Sequence, residues 1–101
     1  MAVIVFVEVR GQTLVGYEAM LSSLANGLRQ ADGFIMHSAY SADGSLRVME
    51  IWQTKRAADR FFAERVAPNL PRGVRPKRSV HETHGLVTSN SVESSLPRAV
   101  G

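Results

Sequence analysis

Asp43-Gly44 stands between two strand-like runs, residues 34–41 and 46–53. An Asp-Gly pair in that position signals a tight hairpin, because both residues accept the left-handed backbone that matches the twist of paired strands. No other feature restricts the fold as much. The flanking segments must add to a sheet with an antiparallel hairpin in it.

Each flank supplies one strand and one helix. Residues 3–9 (VIVFVEV) are apolar or β-branched at nearly every position and read as a strand. Thr13 is placed to cap a helix in which Leu14, Tyr17, Leu21, Leu24 and Leu28 follow a helical rhythm. Gly27 weakens that helix slightly, and Asp32-Gly33 ends the segment. After the hairpin, Thr54 caps a second helix from Lys55 to about Val66, limited by Pro68, with Ala58, Phe61, Phe62 and Val66 on its apolar face. A fourth strand is expected from Arg78 to Val87.

The order β-α-β-β-α-β predicts a ferredoxin-like α+β fold: a four-stranded antiparallel sheet with two helices on one face. Residues 1–88 form the domain. Residues 89–101 are Ser-rich with little to bury and read as a tail, mobile or packed on a partner subunit. Val3, Val5, Val7 and Val9 face one side of the first strand, yet Ile4 and Phe6 face the other. Two helices cannot cover both faces, so a homodimer built through the sheet faces is expected.

Composition narrows the function classes. A chain of 101 residues, 45% hydrophobic and 21% charged, has room for one ordinary globular domain. The sequence has no cysteine, which excludes disulfides, thiol catalysis and zinc–thiolate sites and suits the cytoplasm. The opening run Ala2 to Val7 lacks a basic flank and soon meets Glu8 and Arg10, so it reads as a strand, with no membrane span expected. Net charge is +3. Four basic residues, Arg72, Arg75, Lys77 and Arg78, are expected in one solvated loop. They lack the aromatic neighbours or basic helix of a nucleic-acid surface, so nucleic acid is not an expected partner.

Few residues carry chemistry. Trp52, the single tryptophan, sits where a strand becomes a helix; it is either a core plug or a flat wall for an aromatic ligand. His37 and Glu50 face each other if the hairpin has a two- or four-residue loop, with Ile35 then opposite Trp52. A three-residue loop shifts the register by one and separates them. Glu8 is either at the wet end of its strand or a buried base. His81 and His84 are three apart on an expected strand and point to opposite faces, so no metal site is expected, though one of them could face a pocket. Phe61, Phe62, Met20, Leu21 and Leu24 line the space between helices and sheet, as core or as pocket wall.

The βαββαβ order, the Ile51-Trp52-Gln53-Thr54-Lys55 junction, the Phe61-Phe62 pair and the run Val80-His81-Glu82-Thr83-His84 resemble the antibiotic-biosynthesis monooxygenase family over about residues 2–88. The resemblance implies a dimeric α+β barrel. Similar proteins include cofactor-independent oxygenases of polycyclic aromatic polyketides and heme-degrading enzymes; related barrels catalyse isomerisation, cyclisation and decarboxylation. Trp52 matches the junction tryptophan. The asparagine that precedes it by four positions in anthrone-type oxygenases is Val48 here, and the asparagine late in the first strand is replaced by Val7, Glu8 and Val9. The heme degraders' histidine ligand has no counterpart between Asn69 and Arg72.

The resulting expectation is an enzyme with no cofactor acting on a small hydrophobic, aromatic or polyketide-type substrate. A base, His37, Glu50 or Glu8, takes a proton, and the anion reacts with dioxygen in a dry pocket against Trp52. Phe61, Phe62, Met20, Leu24, Val48 and His81 are the expected substrate contacts. A non-oxidative cyclase or isomerase, or a non-catalytic ligand-binding dimer, is the alternative.

Overall fold

The computed structural model describes residues 1–89 and 92–94. Strand β1 (Val3–Arg10) leads to helix α1 (Leu14–Gln30), the hairpin β2 (Phe34–Ala42) and β3 (Ser45–Trp52), helix α2 (Lys55–Phe61) and strand β4 (Arg75–Glu82). The four strands form one antiparallel sheet in the order β2-β3-β1-β4. A short ladder, β5 (Gly85–Val87) with β6 (Val92–Ser94), follows. Part of the expected tail therefore pairs within the chain; residues 90–91 and 95–101 lie outside the described residues.

The hairpin closes through two residues, Asp43 (φ 53°) and Gly44 (φ 75°), with Ala42 opposite Ser45. This is the left-handed pair that the Asp-Gly sequence favours. It puts His37 opposite Glu50. Near the far end the register changes: Phe34, not Ile35, lies opposite Trp52, and Ile35 is left over as a bulge. Phe34 and His37 are three apart and would face opposite sides of a regular strand. The extra residue lets Phe34 pack edge-on against Trp52, ring centroids 5.3 Å apart, while His37 still faces Glu50. Gly33 anchors the bend with φ 83°, its carbonyl accepting from the Gln53 N–H at 2.7 Å. A side chain at Gly33 would also stand only 3.0 Å from the Ala57 Cβ.

Three other expectations are corrected. The fourth strand starts at Arg75 and ends at Glu82, so Arg75, Lys77 and Arg78 belong to β4 and not to a loop. Eight ladder pairings to β1 hold them in extended backbone, and alternation turns Arg78 inward and Lys77 outward. Helix α2 is α-helical only to Phe61; a π-helical turn over Phe62–Val66 and a 3-10 turn over Ala67–Asn69 continue it. Leu14 opens α1 but is 59% exposed, so the buried stripe starts at Tyr17.

The core lies between helices and sheet. Val3, Val5, Leu28, Trp52, Ala58 and Phe61 form one buried cluster, and Val9, Leu46 and Val48 a second. The capping side chains are those the sequence specifies: Thr13 Oγ1 accepts from Gly16 N–H and Thr54 Oγ1 from Ala57 N–H. The opposite sheet face carries Phe6, 45% exposed, beside half-buried Ile4, Met49 and Ile51.

Candidate active site

Between the two buried clusters, the helices and the sheet enclose a cavity of about 90 Å³. A cavity of about 150 Å³ takes up benzene. This one holds a single ring at most, and a larger ligand must extend through its open side. The wall is mainly apolar: Val7, Val9, Leu46 and Val48 from the sheet; Met20, Leu21, Leu24 and Leu28 from α1; Phe61, Phe62 and Val66 from α2 and its continuation. The shift to π-helical bonding, with Ala67 N–H donating to the Phe62 carbonyl, sets the last of these side chains over the sheet. Such turns recur at functional sites.

Five polar side chains enter this wall: Gln12, Tyr17, His37, Glu50 and Arg78. Three of them form a chain. His37 Nδ1 lies 2.6 Å from Glu50 Oε2, and His37 Nε2 lies 2.6 Å from the Tyr17 hydroxyl. The partners assign the tautomer. A carboxylate only accepts, so Nδ1 carries the proton; in the neutral imidazole Nε2 then accepts from Tyr17. Trp52 completes the chain, its indole N–H donating to Glu50 Oε1 at 2.9 Å. The side chains of His37 and Glu50 are only 14% and 18% exposed. Burial, reinforced by the Glu50 charge, pushes the Tyr17 hydroxyl above its ordinary ionisation range.

Trp52 itself is fully buried and does not line the cavity. Phe34 and Phe61 cover its ring, with centroids at 5.3 and 5.5 Å. It is a core residue that fixes the Glu50 carboxylate, rather than a stacking wall.

Glu8 and His81 stand elsewhere. Glu8 sits on the outer sheet face, hydrogen-bonded to Arg10 at 3.0 Å and 3.9 Å from Arg47. The Arg10 bond, with the charges of Arg10, Arg47 and Lys77, lowers its pKa against opposing desolvation, so it is a solvated ion-pair partner and not a pocket base. His81 shares that face, its ring 6.1 Å from Phe6, and does not line the cavity. Strand parity places both there. Phe61, Phe62, Met20, Leu24 and Val48 do line the cavity.

Three wall residues escape the sequence reading. Tyr17 reads as one more apolar stripe position, though its hydroxyl in a row of leucines is a signal. Arg78 reads as a loop cation; it lies over the Phe62 ring at 4.5 Å and bonds Asp59 at 3.2 Å. Gln12, just before the Thr13 cap, has a buried side-chain oxygen with no hydrogen-bond partner among the described residues. Also among them, no three His, Asp or Glu side chains come together as a metal site, and no helix is long and apolar enough to cross a membrane.

The fold has solved counterparts. SnoaB, a cofactor-independent oxygenase from Streptomyces nogalater, superposes with a TM-score of 0.61 at 15% identity, covering 81% of this chain and 92% of that one. The fold is that of the antibiotic-biosynthesis monooxygenases. Two further structures share it: YJCS (TM-score 0.56, 16% identity, covering 78% of this chain and 97% of that one) and Rv0793 from Mycobacterium tuberculosis (0.52, 20%, covering 78% and 93%). No protein-family model matches the sequence, and no curated protein matches it.

Proposed function

We propose that the chain is a cofactor-independent, monooxygenase-like enzyme acting on a small hydrophobic aromatic or polyketide-type molecule by base-assisted deprotonation. One observation carries this reading: a histidine held between a carboxylate and a phenol, in the wall of an otherwise apolar cavity. A binding site needs polar groups only to orient its ligand, whereas proton abstraction needs an acceptor whose acquired charge is stabilised, which this arrangement provides. His37 is the acceptor, and Glu50 stabilises the imidazolium. Arg78 supports the same reading. It stands on one edge strand and His37 on the other, three strand spacings or roughly 14 Å apart. Charge released near His37 can spread towards the guanidinium through a conjugated ligand of more than one ring that extends through the open side of the cavity. The anion then reacts with dioxygen.

A non-oxidative cyclase or isomerase is the second reading. It is favoured by the wall at Val48, where the anthrone-type oxygenases that this chain resembles carry asparagine, and by Val7 and Val9, in the late first-strand stretch where those enzymes place another. We further propose a homodimer through the sheet face that bears Phe6, and a cytoplasmic location.

The test is dissolved-oxygen uptake by metal-free protein supplied with anthrones, polycyclic phenols and single-ring phenols, beside the His37→Ala variant. Uptake that depends on His37, with a product that has gained one oxygen and lost two hydrogens while the other oxygen leaves as water, supports the oxygenase. Turnover without uptake assigns the cyclase or isomerase. Saturable binding with no turnover leaves a ligand-binding barrel and overturns the enzyme.

A further inference from the structure

We propose that Tyr17, and not His37, takes the proton directly from the substrate, its hydroxyl relaying that proton to His37. The inference rests on the enzyme reading above and specifies the path of its first step. Both ring nitrogens of His37 are already engaged, Nδ1 by Glu50 and Nε2 by Tyr17, each at 2.6 Å. A proton from the cavity reaches Nε2 only if Tyr17 leaves or passes it on. The Glu50 carboxylate cannot turn to release the ring, because Trp52 holds its other oxygen. Tyr17 comes from α1, across the layer from the sheet, and its hydroxyl oxygen retains lone-pair capacity beyond the bond it donates.

The step balances without a further reactant. A C–H or O–H bond of the substrate breaks and leaves its electron pair on the substrate. That proton bonds to the Tyr17 oxygen as the hydroxyl proton moves to His37 Nε2. The result is a substrate anion and an imidazolium beside the Glu50 carboxylate. Burial and the Glu50 charge disfavour a free tyrosinate, so the hydroxyl transmits the proton and does not store its absence. Among the cavity-lining residues, Glu50 and Arg78 are the other charged groups facing this space. Run backwards, the relay returns the proton to a rearranged or oxidised product.

Two measurements test it, with dithranol, an anthrone, as the probe. In oxygen-uptake kinetics, Tyr17→Phe is expected to lower kcat about 100-fold and to leave KM within about threefold, as for an interaction made only in the transition state. A variant with unchanged kcat and raised KM makes Tyr17 a mere wall and overturns the proposal. Independently of turnover, 15N NMR of imidazole-labelled wild-type protein near neutral pH is expected to show His37 Nε2 unprotonated and hydrogen-bonded, and shifted by Tyr17→Phe. Protonation of both nitrogens overturns the relay, since an imidazolium cannot accept. If wild-type protein consumes no oxygen with dithranol, the oxygenase reading fails for anthrones, and the NMR result alone decides the relay.

Discussion

Each face of the sheet carries a histidine and a carboxylate, His37 with Glu50 and His81 with Glu8, and puts them to different use. On the helix side His37 and Glu50 are mostly buried and joined at 2.6 Å, with Tyr17 bonded to the other ring nitrogen and Trp52 to the other carboxylate oxygen. On the outer side His81 rests against Phe6, one strand from Glu8, which pairs with arginines in solvent. The residue types are the same. Burial makes each missing hydrogen bond costly, so around His37 the polar groups are organised into a network, whereas Glu8 has only its arginine neighbours.

The largest expected effect tests this directly. Glu50→Ala leaves the Trp52 N–H and the His37 Nδ1–H without their acceptor and costs about 3 kcal/mol, measured by urea denaturation. Glu8→Ala should move the midpoint far less; equal shifts would erase the distinction between the faces. Trp52→Phe leaves a smaller aromatic ring and removes the N–H to Glu50 and some packing, for about 2 kcal/mol. Its near-ultraviolet signature should survive at Phe34 and Phe61 if the core closes over the smaller ring, and be lost if the junction melts.

Two pH experiments sharpen the contrast. Tyr17 and Tyr40 are the two tyrosines, so Tyr40→Phe leaves Tyr17 as the only one to titrate. Its phenolate absorbance should emerge above the ordinary value of 10.0. A folded pKa raised for this acid means the unfolded chain releases its proton first, so stability falls as pH rises through that range. A midpoint at or below the ordinary value contradicts the burial argument. Asp59 has the opposite sign: hydrogen bonds from Lys55 and then Arg78 lower its pKa against desolvation. The stability it contributes is present above the ordinary carboxylate range and is lost as pH falls towards the lowered value. Asp59→Asn should therefore flatten the acid limb of a stability–pH profile, by less than about 1 kcal/mol because water screens the pair.

The smallest effect on the subunit itself belongs to the outer face. Phe6→Asp should change the stability of a monomer by no more than about 0.5 kcal/mol, yet shift a homodimer to monomer in light scattering. A wild-type protein that is monomeric at high concentration refutes the sheet-face dimer.

Legibility followed the same division. Period-2 and period-3.6 patterns, two Thr caps and one Asp-Gly turn sufficed for the element order, because each acts within a few residues of itself. The His37–Glu50 pairing was readable as a conditional: it depended on one turn length, and the two-residue loop realised it. Ile35 was misplaced opposite Trp52 because a bulge is decided by packing across the sheet, here Phe34 on Trp52. Tyr17 was hidden in its own apolar stripe. Nothing local to α1 says that a hydroxyl there meets a ring nitrogen twenty residues away.

Short-range backbone preferences and periodicity were enough for the βαββαβ order, the two Thr caps and the place of the turn. Packing between elements settled that the two-residue loop and the bulge at Ile35 set the pairing of β2 with β3, that Trp52 is a buried brace and not a wall, and that Tyr17 closes the chain to His37. Those outcomes depend on the distance and angle at which separate elements pack, and on which polar groups that packing deprives of water.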